Sequence, residues 1–171
     1  MRGAVLLLLA AAVPVAAQKQ HELCAVCHTE TVRDYLAHPH FQKGLACAAC
    51  HGESTAHRTS QGHTEPDRVT RPHEIPALCG GCHPGKGPVP ILKLYSESKH
   101  GRLVLEQSKV RAAHCGTCHG VHSVRQGRAT ENQCKRCHTT LPASCSAAPP
   151  RRTAVSCAAC HDPHTLLALK K

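Results

Sequence analysis

Apolar residues crowd one end of the chain and thin out everywhere else. Residues 5–13 form a near-continuous apolar stretch behind Arg2, followed by Pro14 and the small-residue run Val15, Ala16 and Ala17. A positive start, a short apolar core and a small-residue site predict a secretory leader over residues 1–17, with the mature chain beginning at Gln18. The stretch is shorter than the ~20 residues a membrane span needs, and no later segment is apolar enough to cross, so no transmembrane segment is expected in the mature chain. Beyond the leader, helical periodicity is confined to short stretches over 22–36, 91–98 and 102–113, the last with a partly apolar stripe of Leu103, Val104, Gln107, Val110 and Arg111. Strand-like alternation is almost missing. Turn-forming residues fill 57–76 and 84–90, where Gly85, Gly87, Pro88 and Pro90 mark a break between quasi-halves 18–87 and 88–171. The expected fold class is mostly irregular with a few short α-helices and almost no strand. Because neither half has an independent core, 18–171 reads as one domain.

Composition explains why the pattern is so weak. Trp is absent, there are one Phe and two Tyr, and Gly and Pro number 12 each, too little aromatic and branched mass for a conventional core. The 13 cysteines behind a leader would ordinarily suggest a disulfide framework. Their spacing says otherwise. Twelve of them fall into six C-x-x-C-H units: Cys24, Cys27 and His28; Cys47, Cys50 and His51; Cys79, Cys82 and His83; Cys115, Cys118 and His119; Cys134, Cys137 and His138; Cys157, Cys160 and His161. Cysteines at that spacing can add across the two vinyl groups of one haem, and the histidine that follows lands beneath the iron as proximal ligand. Zinc ribbons and thioredoxin-like sites also use C-x-x-C, but neither needs the histidine. The expected cofactor is therefore haem c, six copies covalently attached, each proximal histidine serving as a metal ligand. The macrocycles would supply most of the buried apolar surface, so little stable fold is expected without them. Their propionates would also offset much of the formal +10 charge. With no aromatic platform for stacking bases, nucleic-acid binding is not expected.

The motif starts lie 23, 32, 36, 19 and 23 residues apart, a quasi-repeat without a fixed period. Ten further histidines could close the other side of the irons: His21, His38, His40, His57, His63, His73, His100, His114, His122 and His164. In these segments the chain resembles the periplasmic multihaem cytochromes of the decahaem, porin-conduit type and the doubled C-x-x-C-H group related to them. CAACHGESTAH resembles the family's motif-Gly-distal-His segment and YSESKHG its helix-end Ser-x-His-Gly, implying His57 and His100 as distal ligands. CGTCHGVHSV and CAACHDPH resemble its motif-plus-nearby-His units, implying His122 and His164. In HPHFQKGLACAACH the resemblance implies His40, with His38 as the alternative. Where the family carries a further distal histidine, between the last two motifs, this chain has LPASCSAAPPRRTAVSC and the thirteenth cysteine, Cys145. Three readings stay open there: His63, His73 or His114 supplies the ligand, Cys145 ligates the iron, or one haem is open.

Dense haem packing predicts electron transfer, since bis-histidine ligation closes both axial positions and excludes substrate. The resemblance implies a periplasmic electron carrier working with redox partner proteins. These would be a quinol-oxidising inner-membrane cytochrome as donor and a terminal reductase or outer-membrane conduit as acceptor. A multihaem reductase with one open or Cys-ligated haem is the alternative, and an extracellular haem filament a third reading without specific sequence support.

Overall fold

Short helices joined by turns make up the structure, a computed structural model that describes residues 15–85, 88–109, 111–125, 128–140 and 157–168. There is no sheet: among the described residues the one β-pairing is an isolated antiparallel bridge between His161 and Ala168. None of their helices is long and apolar enough to cross a membrane. The chain divides into two compact units, the first ending at Val69 and the second beginning at Thr70. This boundary lies upstream of the expected 87/88 break, and local contacts account for the difference. Ile91 N–H donates to the Pro84 carbonyl at 2.8 Å and the Leu92 side chain lies against Gly80, so the Gly/Pro turn is a tight connection inside the second unit.

The first unit holds α1 (Val15–Ala25), α2 (Thr29–Leu36), α3 (Pro39–Gln42), α4 (Ala48–His51) and α5 (Thr55–Thr59). The single helix expected over 22–36 is two, because the N–H groups of Cys27 and His28 both turn back onto the Cys24 carbonyl. The Thr29 hydroxyl then donates to the Ala25 carbonyl at 3.1 Å as α2 begins. Helix α1 crosses the Ala17–Gln18 bond at which cleavage is expected, while residues 1–14 of the leader lie outside the described residues. On α2, Val32 and Tyr35 stand three apart on the buried face; Phe41 and Ala46 are buried too, and the Tyr35 and Phe41 rings stand edge to face 6.0 Å apart. Extended His38 caps α3, its Nδ1 accepting the His40 N–H at 3.0 Å, and Pro39 occupies the first helical position.

The second unit holds α6 (Ile75–Gly80), α7 (Ile91–Glu97), α8 (Lys99–Leu105), α9 (Cys115–His119), α10 (Arg128–Cys137) and a 3₁₀ turn over Cys157–Ala159. Extended Ser98 separates α7 from α8 and caps the latter, its Oγ accepting the Gly101 N–H at 2.9 Å. Gly101 lies against the Tyr95 carbonyl, leaving no space for a Cβ. The helix expected over 102–113 instead ends at Leu105: Ser108 takes a left-handed φ of 50° and Lys109 N–H reaches back to the Leu103 carbonyl at 2.9 Å.

One arrangement is built twice. The Tyr35 hydroxyl donates to the Leu45 carbonyl at 2.8 Å and the Tyr95 hydroxyl to the Ala113 carbonyl at 2.9 Å. Each acceptor lies two residues before a motif, at Cys47 and at Cys115. Five residues beyond each tyrosine stand His40 and His100, each two residues after a capping side chain, His38 or Ser98. Both motifs then end on a glycine in the same conformation, Gly52 with φ 74° and Gly120 with φ 79°.

Candidate functional site

Every C-x-x-C-H is wound into one turn of helix. The N–H of the motif histidine donates to the carbonyl of its first cysteine at 3.0 Å in His28 and at 2.9 Å in His51, His83, His138 and His161; the remaining motif is α9 itself. An i to i+4 turn brings the two cysteines and the histidine onto one face. None of the twelve motif cysteines is in a disulfide; Cys145 lies outside the described residues.

The histidines come in pairs. His28 and His57 have ring centroids 6.1 Å apart, His100 and His138 5.9 Å, and His119 and His164 6.3 Å. Two imidazoles bound to opposite sides of one metal ion, with a metal–nitrogen bond of about 2.0 Å, place their centroids about 6.3 Å apart. Pairs in direct contact are closer, with His21 on Phe41 and His38 on His40 both at 4.6 Å. Each wide pair joins a motif histidine to one of the histidines nominated as distal. The pairing order is not sequential: His57 follows the second motif and faces the first, His100 precedes the fourth and faces the fifth, and His164 follows the sixth and faces the fourth. Burial, then the neighbouring His138 and Lys99, lower the pKa of His100; burial, then His164 and His83, lower that of His119. Both rings are therefore kept neutral, with a lone pair to donate.

Backbone carbonyls fix several rings. Nδ1 of His57 lies 2.6 Å from the Thr64 carbonyl, Nδ1 of His51 3.2 Å from that of Arg68 and Nδ1 of His161 3.2 Å from that of Leu166. An Nδ1–H donated to a carbonyl leaves Nε2 as the ligating atom. His38 has the opposite tautomer, since its Nδ1 accepts a backbone N–H. That leaves His40 as the better donor of the two. His57 is further placed by a reciprocal clamp at the start of α5: Ser54 N–H donates to Asp67 Oδ2 at 2.7 Å, and Asp67 N–H to Ser54 Oγ at 3.2 Å. Asp162 Oδ1 accepts the N–H groups of His164 and Thr165 at 3.0 and 2.8 Å and so orients His164; these bonds, with that of the Thr165 hydroxyl, hold its carboxyl below the usual range. His40 is half-buried on α3, while His83 and His122 are exposed in the turns after Cys82 and Gly120. His114 and His21 carry buried ring nitrogens without a hydrogen-bond partner, one in His114 and both in His21.

The first cysteines of successive motifs also meet. The thiols of Cys24 and Cys47, of Cys79 and Cys115, and of Cys134 and Cys157 are hydrogen-bonded, and Cys118 lies close enough to Cys137 to feel its charge. These contacts, the tyrosine struts and the pairing order escaped the sequence reading. The equal placement of Tyr35 and Tyr95 before His40 and His100 was the available signal for the struts.

No family model, curated protein or solved structure matches the chain. The residues themselves are the test of what they could hold. Among the described residues no three or more His, Cys, Asp or Glu converge as a metal-ion cluster, and zinc takes four such ligands. The donor set fits a group that brings its own equatorial ligands and needs one histidine on each face. Beside the motifs, Leu23 and Val26 are 55% and 80% exposed, and Val121 and Val124 lie open after the fourth. Such apolar surface is what a macrocycle would cover.

Proposed function

We propose that the chain is an exported hexahaem c-type cytochrome of multihaem fold, carrying electrons between redox partners along haems that are mainly bis-histidine ligated. The observation that carries this reading is the spacing of the three histidine pairs, each a motif histidine and a second imidazole about 6 Å away. When bound, each haem supplies reversible one-electron chemistry at its iron. The chain's own residues do the rest. The C-x-x-C pairs would anchor the rings, and His28 with His57, His138 with His100 and His119 with His164 would hold three of the irons and keep water and substrate from them. Carbonyls of Thr64, Arg68 and Leu166 hold imidazoles in the ligating tautomer. The cysteine contacts give the order of neighbours: first with second in the first unit; third with fourth, fourth with fifth and fifth with sixth in the second. His40 and His122 are the remaining distal candidates. The leader and the family resemblance support a periplasmic location, with a quinol-oxidising cytochrome as donor and a terminal reductase or outer-membrane conduit as acceptor.

The test is production in a host that attaches c-type haem, followed by a haem count and electron paramagnetic resonance of the oxidised protein. His57→Ala, His100→Ala and His164→Ala should each convert one low-spin haem to high-spin while the haem count stays at six. A purified protein with no covalent haem, or with zinc in its place, would overturn the reading.

A further inference from the structure

We propose that His21 is an acid-sensitive catch in the first unit: a neutral imidazole enclosed against α2 and α3 that, on taking a proton, releases α1 from both. The proposal concerns the polypeptide itself and goes beyond the electron transfer proposed above. It begins from burial. His21 lies on α1 and is 5% exposed. Both of its ring nitrogens are covered by the protein, and neither has a hydrogen-bond partner among the described residues. The ring makes the contacts of an apolar group instead. Its centroid lies 4.6 Å from that of Phe41, tilted by 41°, and 6.3 Å from that of Tyr35, stacked at 29°. Tyr35 and Phe41 stand edge to face at 6.0 Å and close a cluster of three rings, one from each of α1, α2 and α3.

Packing alone does not call for an imidazole there. A buried donor and a buried acceptor left unpaired cost stability that a phenyl ring of similar size would not. What the imidazole adds is a charge within reach of mild acidity. Burial lowers the pKa of His21 from 6.5, so the folded unit keeps the ring neutral; Glu22, exposed on the same helix, favours the charge but is outweighed. The other groups around the ring are already engaged. The Tyr35 hydroxyl of α2 donates to the Leu45 carbonyl, and Phe41 of α3 has no polar side-chain atom. Cys24, one turn further along α1, meets Cys47, and Glu53 is held by Gln20 Nε2 at 3.3 Å. His38, stacked on the far side of Tyr35, caps α3. Because the folded value is the lowered one, the closed cluster is fully stable above pH 6.5. Below it, stability is lost as the opened chain takes a proton that the closed one refuses. Tyr35 also fixes the backbone just ahead of Cys47, so opening at His21 would slacken the approach to the second motif.

The experiment follows backbone hydrogen exchange of the purified full-length protein by mass spectrometry, with rates corrected for their intrinsic pH dependence. Peptides covering residues 18–42 should lose protection by up to about tenfold between pH 7.5 and pH 5.5, the factor set by an opened-state value near 6.5. His21→Phe should hold its protection across that window. His21→Gln keeps an unpaired polar group but takes no charge, so its protection should be lower than the native protein's at pH 7.5 and then stay flat. Native protection that does not fall over the window would overturn the proposal. So would a fall of native size in either variant, which would assign the proton to another group. Each variant decides alone should the other fail to fold.

Discussion

At the scale of single residues the tyrosines do what the histidines cannot do for themselves. Tyr35 and Tyr95 each tie a helix to the backbone just ahead of a motif, so the hydroxyl fixes where the cysteines begin. Tyr35→Phe should lower stability by about 1 kcal/mol, the usual net value of such a bond, measured by denaturant unfolding of the haem-loaded protein. Burial, and after it the nearby Cys50 and Cys47, push the Tyr35 phenol from 10.0 up to about 12. Because the folded value is the raised one, its contribution is fully present below pH 10 and is lost as pH rises towards 12. The denaturation midpoint should therefore fall across that alkaline window in the native protein, and Tyr35→Phe should remove this part of the fall. Once the cysteines are thioethers they carry no charge, so burial, the largest cause, is what remains to be measured. The six C-x-x-C-H units were legible at once, since a motif is written as spacing. The tyrosine struts were not, because a hydroxyl meeting a backbone carbonyl leaves no mark in side-chain pattern.

Among elements, close backbone approach decides more than apolar periodicity. Helices α7 and α8 turn sharply at Ser98 because Gly101 can press against the Tyr95 carbonyl. Gly101→Ala should force the two apart at a cost of about 1–3 kcal/mol, and because His100 is the preceding residue it should also loosen the pairing with His138. The expected outcome is a lower unfolding midpoint together with a partly high-spin fifth haem, seen by paramagnetic resonance. Helix positions were only half readable for the same reason. The stripe through Leu103, Val104 and Val110 kept its period past the point where Ser108 turns left-handed. Helix α10 had no apolar stripe to announce it, being held by polar contacts such as the Gln133 amide on the Ala129 carbonyl at 2.9 Å and by its own C-x-x-C turn. Which histidine faces which was unreadable, because the partners come from segments on the far side of other motifs.

For the whole molecule, the protein part alone is short of a core. Among the described residues Val32, Tyr35, Phe41, Ala46, Pro76 and Val104 are the buried apolar side chains, and others such as Leu23 and Leu167 stay open. Burying one such side chain contributes about 1.5–3 kcal/mol, whereas ordering each residue costs roughly 1–2 kcal/mol. A chain produced without haem attachment, or with each C-x-x-C changed to A-x-x-A, should show little helical circular dichroism and no cooperative melt, while the haem-loaded form shows both. The thin core was legible in composition. The division at Val69 was not, because it follows contacts across a Gly/Pro turn that reads as a break.

If these cysteines carry haem as proposed, the thiol contact between Cys24 and Cys47, repeated at Cys79 with Cys115 and at Cys134 with Cys157, would set a deadline on biosynthesis. In an oxidising compartment, thiols held this close are candidates for a crosslink between motifs, and each such bond would remove one anchor from two haems. On the proposed function, even a passing approach of these thiols before attachment would risk such a crosslink, so the haems would have to be attached while the chain is still open.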